Sequence, residues 1–72
     1  MSEEEKKIDN LQHQVEIRQQ ALHFTVIYEK DFIKRMGKRQ LEVVRDEILD
    51  FILDLRLQIK QLKNNLKLDD NE

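Results

Sequence analysis

LEVVRDEILDFILDLRLQIKQLKNNL, residues 41–66, is the stretch on which the fold turns. Within it Leu41, Val44, Ile48, Ile52, Leu55, Ile59, Leu62 and Leu66 step by three and four without a miss. That spacing keeps all of them on one face of an α-helix. From Ile48 onward they form a coiled-coil seam, with Ile48, Leu55 and Leu62 in one class and Ile52, Ile59 and Leu66 in the other. A helix is therefore expected over about 39–67. Lys60, Lys63 and Lys67 sit near its C-terminal end, where cations suit the helix dipole. Asp69-Asp70-Asn71-Glu72 reads as a frayed acidic tail.

Upstream, Ser2 and Glu5 make an S-x-x-E capping box, and Glu3, Glu4 and Glu5 suit the positive end of a helix dipole. From there Ile8, Leu11, Val15, Leu22, Val26, Ile33 and Met36 share a face, interrupted by Arg18, Thr25 and Glu29. Ile17, Ala21, Phe24, Tyr28 and Phe32 lie beside it. A first helix over about 3–36 accounts for both stripes. The run His23-Phe24-Thr25-Val26-Ile27-Tyr28 is β-branched and aromatic and favours strand by propensity. No second strand is in sight to pair with it, so helix is retained there.

Gly37 is the one glycine, and there is no proline. Gly37 is either the residue after a helix ending at Met36 or a tolerated glycine in one long helix, at a cost of about 1 kcal/mol. Charge favours the bend. The first helix starts acidic (Glu3, Glu4, Glu5, Asp9) and ends basic (Lys30, Lys34, Arg35, Lys38). The second starts acidic (Glu42, Asp46, Glu47, Asp50, Asp54) and ends basic (Arg56, Lys60, Lys63, Lys67). Folding at Gly37 brings Lys30 and Lys34 near Glu42 and Asp46, whereas a parallel pair of straight rods stacks like charges. The expectation is an all-α chain, a single domain over 1–72 built as an antiparallel two-helix hairpin with its bend near Gly37.

One hairpin leaves apolar surface uncovered. Leu49, Leu53 and Leu57 form a second stripe turned well away from the main seam, with Val43 and Leu68 near the same side. The second helix is also self-complementary when antiparallel, being acidic before Leu55 and basic after it. A homodimer closing into a four-helix bundle answers both features.

The composition excludes much chemistry. No cysteine means no disulfide framework, thiolate metal site or cysteine nucleophile, and a single glycine leaves no room for a phosphate-cradling loop. The net charge of −2 gives no bulk attraction to nucleic acid. The acidic start Met1-Ser2-Glu3-Glu4-Glu5 is unlike a signal peptide, and the longest strictly apolar run, Phe51-Ile52-Leu53, is far too short for a bilayer. A cytoplasmic protein without membrane contact is expected. His13 and His23, ten apart, lack the convergent partners of a metal site, and Asp46, Asp50 and Asp54 at spacing four read as a solvated face. Ile8-Asp9-x-Leu11 resembles the first helix of chorismate-mutase-like enzymes, but the arginine and lysine pattern of such a site does not follow. No enzyme activity, cofactor or metal is expected.

Two surfaces remain for partners. The Leu49/Leu53/Leu57 stripe and the Phe24/Tyr28/Phe32 stripe are candidate contacts for a partner protein, as in an adaptor, small chaperone or inhibitor. The alternative is a bundle dimer that binds nucleic acid through the basic cluster Lys30, Lys34, Arg35, Lys38 and Arg39 at the bend. The aromatic group, Phe51 included, is otherwise expected in the core.

Overall fold

A computed structural model describes the backbone of residues 2–70 and the side chains of residues 2–66. The described residues are all-helical, as expected for the class, with three helices among them: α1 (Glu3–Ile27), α2 (Glu29–Met36) and α3 (Lys38–Asp70). The side chains of Lys67 and Leu68 lie outside the described residues. Of the acidic tail, Asp69 and Asp70 belong to α3, while residues 71–72 are outside the description.

α1 begins as its sequence dictates. The Ser2 hydroxyl accepts the Glu5 N–H at 3.1 Å, and the Glu5 carboxylate accepts the Ser2 N–H at 2.9 Å. The Ser2 backbone N–H first, and the Ser2 side chain second, hold the Glu5 carboxyl below its usual range. A depressed folded-state pKa contributes stability above the unfolded pKa and loses it as pH falls through the folded value. Acidification through that range is therefore expected to fray the first turn, moving the Cα chemical shifts of residues 3–6 toward coil values. Glu5→Gln should remove most of that pH dependence.

α1 and α3 lie side by side and run in opposite directions. Ile8 and Val15 of α1 and Ile52, Leu55 and Ile59 of α3 form one buried cluster, with Leu11, Ile48, Leu62 and Leu66 packed against it. The register is constant along the pair. Lys7, Asn10 and Leu11 share a groove with Gln58, Gln61 and Leu62. Arg18 reaches Phe51, and Thr25 reaches Arg45. The α3 seam thus packs inward as its spacing required.

The first helix departs from the expected single rod over 3–36. It breaks at Tyr28, where φ is −104° and ψ is 31°. The cause lies three residues back. Thr25 is 5% exposed, and its carbonyl accepts from Arg45 Nη2 at 2.7 Å. A side chain inserted into the carbonyl ladder is a recognised cause of a helix break. The β-branched run Thr25-Val26-Ile27 gives the helix little intrinsic support there. α2 follows with no side-chain cap and no buried residue, though Phe32 and Ile33 are half-buried.

Gly37 joins α2 to α3 on its own. Its N–H donates to the Ile33 carbonyl at 2.8 Å, and its carbonyl accepts from Leu41 at 3.1 Å. Its backbone stands at φ 89° and ψ 155°. L-residues with a Cβ avoid that region.

Two expectations about side chains are corrected. Val26 and Met36, placed on the buried face by their spacing, are exposed, and Val26 is 61% exposed. The reason is the period. A face that repeats about every 3.5 residues, not 3.6, drifts by about 20° per heptad around the helix. Ile8, Leu11, Val15, Arg18, Leu22 and Thr25 keep the tighter repeat, so Thr25 faces α3 and Val26 does not.

Candidate functional site

The residues that interrupt the apolar face of α1 turn out to be answered by α3. Arg45 is the centre of the larger arrangement. Its Nε donates to the Thr25 hydroxyl at 3.1 Å, and its Nη2 donates both to the Thr25 carbonyl at 2.7 Å and to Glu29 Oε1 at 2.8 Å. The Thr25 hydroxyl in turn donates to the Leu22 carbonyl at 2.6 Å. One guanidinium thereby ties together α1, the break and α2. Further along, Arg18 lies over the Phe51 ring at 4.3 Å from its centroid. Phe51, expected in the core, is instead half-exposed, with a cation on one face of its ring.

Sequence reasoning passed over Arg45, yet a signal was present. Arg45 lies beside Leu41, Ile48 and Ile52 on the helical wheel, at the edge of the buried seam. Thr25 and Glu29 are polar positions on the facing stripe. A charged residue at a seam edge opposite polar gaps is a candidate cross-helix clamp. Arg45→Ala is expected to cost about 1–3 kcal/mol in urea unfolding, because the buried Thr25 carbonyl loses its partner. Arg45→Lys should recover only part of this, since its donors radiate from one nitrogen, whereas the guanidinium reaches these acceptors from two, Nε and Nη2.

The expected cross-turn ion pairs are absent. Among the described residues the one ion pair within 4.0 Å is Arg45–Glu29. Lys30 and Lys34 do not pair with Glu42 and Asp46, and all five residues of the basic cluster, Lys30, Lys34, Arg35, Lys38 and Arg39, are exposed.

The two candidate contact stripes have different fates. Phe24 and Tyr28 are half-exposed neighbours, ring centroids 6.1 Å apart and tilted by 32°. Phe32 lies beyond the break, half-buried, and lines a shallow groove with Tyr28, Asp31 and Arg35. The aromatic stripe is thus divided between α1 and α2. The leucine stripe is continuous on α3: Leu49, Leu53 and Leu57 are 45%, 61% and 53% exposed. At about 100° per residue, its middle lies roughly 130° around α3 from the Ile52/Leu55 seam that meets α1. Ile17 and Ile27 are likewise exposed on α1.

His13 and His23 are both exposed, and no group of three or more His, Asp or Glu side chains converges among the described residues. No helix of the described residues is long and apolar enough to cross a membrane. Neither family models, nor curated proteins, nor solved structures offer a match to this chain. Any functional reading therefore stands on the geometry.

The shape bears on that reading. The molecule measures 53 × 18 × 16 Å, with a radius of gyration of 16.3 Å. A compact domain of this length has a radius of about 11 Å. The accessible surface is 5962 Å², roughly a quarter more than the ~4,800 Å² of a folded monomer of 8.8 kDa. Two packed helices bury one side of each and leave the other sides to solvent.

Proposed function

We propose that the chain is a non-enzymatic, cytoplasmic helical interaction module, working as an adaptor, small chaperone or inhibitor. In this reading α1 and α3 form a helical hairpin bent at Gly37. An outer face of the hairpin is laid against another helix, and two copies make a four-helix assembly. The observation that carries the reading is the exposed, uninterrupted leucine stripe of α3. Three leucines spaced by four on one exposed face supply the anchors of helix-in-groove docking. The excess surface of the isolated chain is further support, because such surface is normally covered in working proteins.

The test is capture by wild-type and Leu53→Asp baits, with bound proteins identified by mass spectrometry and self-association read by sedimentation. The wild type should bind itself or a partner, and Leu53→Asp should lose that binding while remaining helical by circular dichroism. Equal behaviour of the two baits would remove the reading.

A nucleic-acid-binding reading is favoured by one observation: none of the five basic residues at the bend is paired with a carboxylate within 4.0 Å among the described residues. Phosphate contacts make log K fall steeply with log salt, whereas apolar docking does not. Reversing charge with Lys34→Glu and Lys38→Glu should abolish binding if this reading holds and leave protein docking intact if it does not.

A further inference from the structure

The exposed face of α3 has a symmetry of its own. Take Leu53 as a centre and count outward equally in both directions. Leu49 mirrors Leu57, Asp50 mirrors Arg56, and Asp46 mirrors Lys60. Within these three pairs the apolar residue is reflected onto an apolar one and each acid onto a base. All are exposed; Arg56 borders the groove that α3 makes with α1, beside Val15 and Ile59, and the others lie farther from the main seam. Resting on the docking reading above, we propose that the occupant of this face is α3 of a second copy of the chain. The two helices run antiparallel, and a two-fold axis passes beside Leu53.

Three observations converge on that occupant. An isologous interface requires a self-complementary patch, and the mirrored order of leucines and charges supplies one. In this register Leu53 meets the partner's Leu53, and Leu49 meets the partner's Leu57. Asp46 meets the partner's Lys60, an opposite-charge pair made twice per dimer, and Asp50 stands level with the partner's Arg56. A parallel pairing places Asp46 on the partner's Asp46 and Lys60 on the partner's Lys60, which is repulsive at both ends. Finally, none of Asp46, Asp50, Arg56 and Lys60 has an ion-pair partner within 4.0 Å among the described residues. The charges are available to the second copy.

The geometry also sets the form of the dimer. The stripe lies roughly 130° around α3 from the seam with α1, more than the right angle between neighbours in a square bundle. The four helices therefore form an open array in the order α1, α3, the partner's α3, the partner's α1. The half-exposed Ile17, Phe24 and Ile27 of each α1 stay outside the two-fold interface.

The absence of cysteine makes the test direct. Leu53→Cys places two thiols face to face on the axis, within disulfide reach. Val43→Cys, ten residues from the centre, places them about 30 Å apart along it. Under mild oxidation Leu53→Cys should form the disulfide dimer rapidly and Val43→Cys should not. Charge exchange checks the register. Asp46→Lys and Lys60→Asp should each weaken self-association about tenfold or more, since each replaces two attractive pairs by repulsive ones. An equimolar mixture of the two single variants should form a heterodimer of near wild-type affinity, because Lys at 46 of one then faces Asp at 60 of the other. This recovery also shows that the single variants are folded.

A wild-type chain that sediments as a monomer at high micromolar concentration overturns the proposal, as do equal crosslinking of both cysteine variants and a mixture that recovers nothing. If the wild type is monomeric but captures a partner through Leu53, the second copy is the wrong occupant and the docking reading survives. If Leu53→Asp matches the wild type in both assays, both fall.

Discussion

Leu55→Ala is expected to remove about 2–5 kcal/mol of stability, while Leu53→Ala, two residues away, removes almost none from the isolated chain. The contrast is one of placement alone. Leu55 is 3% exposed in the centre of the α1–α3 cluster, and Leu53 is 61% exposed on the opposite side of the helix. Truncating Leu55 loses the transfer energy of three carbons and opens a cavity between two helices that have no third layer to collapse into it. A chain of 72 residues holds a total stability of only about 4–11 kcal/mol at the usual value per residue. The loss is thus a large fraction of the whole and should lower the thermal midpoint by ten degrees or more at about 4–8 °C per kcal/mol. Circular dichroism melts at two protein concentrations separate the effects. The deficit of Leu55→Ala should persist on dilution. Any deficit of Leu53→Ala should appear only at high concentration, where a second copy adds to stability by mass action. Equal, concentration-independent losses at the two positions would mean that the two faces of α3 are not inner and outer.

The same pair of leucines shows how far the sequence alone could be read. The α3 seam was legible because eight apolar residues at unbroken three-four spacing admit one reading. The second leucine stripe was legible as a remainder, the apolar residues left when that seam is assigned. The helix boundary at Gly37 was legible because a single glycine stood between two such patterns. α1 was harder. Its apolar positions fit both a 3.6-residue and a 3.5-residue repeat, and the two choices part company only after several turns, at Thr25 and Val26. The looser repeat buried Val26 and treated Arg18, Thr25 and Glu29 as gaps. The tighter repeat makes those polar residues the cross-helix contacts. The break at Tyr28 was hinted at by the poor helix propensity of residues 23–28, but the contact of Arg45 with the Thr25 carbonyl, twenty residues apart in sequence, was not legible.

Gly37→Ala is expected to convert a bent chain into a straight one. At φ 89° and ψ 155°, a Cβ is strained by its own backbone, at about 1–3 kcal/mol. Open space surrounds the position, with nothing within 4 Å of where the Cβ would stand, so no neighbour adds to the cost and none can relax to relieve it. Alanine also favours the helical alternative, in which α2 runs into α3, by about 1 kcal/mol over glycine. Both effects act in one direction. Together they shift the balance of bent to straight by about 2–4 kcal/mol, or roughly thirtyfold to a thousandfold. Helix content should barely change, because one residue joins elements that are already helical. The dimensions should change greatly. A continuous helix over residues 3–70 is about 100 Å long at 1.5 Å per residue, against the 53 Å of the folded pair. Small-angle scattering reads that difference directly. The straight form cannot cover Ile8, Val15, Leu55 and Ile59 within one chain, so the variant should also associate through the seam that α1 and α3 normally share. A D-alanine at the same position, introduced by chemical synthesis, separates the causes. Its mirror-image backbone preference accepts positive φ, so it should keep the bent dimensions despite carrying the same methyl group. If L-alanine at position 37 left both the maximum dimension and the melting midpoint unchanged, the bend would not depend on the left-handed backbone of this one residue.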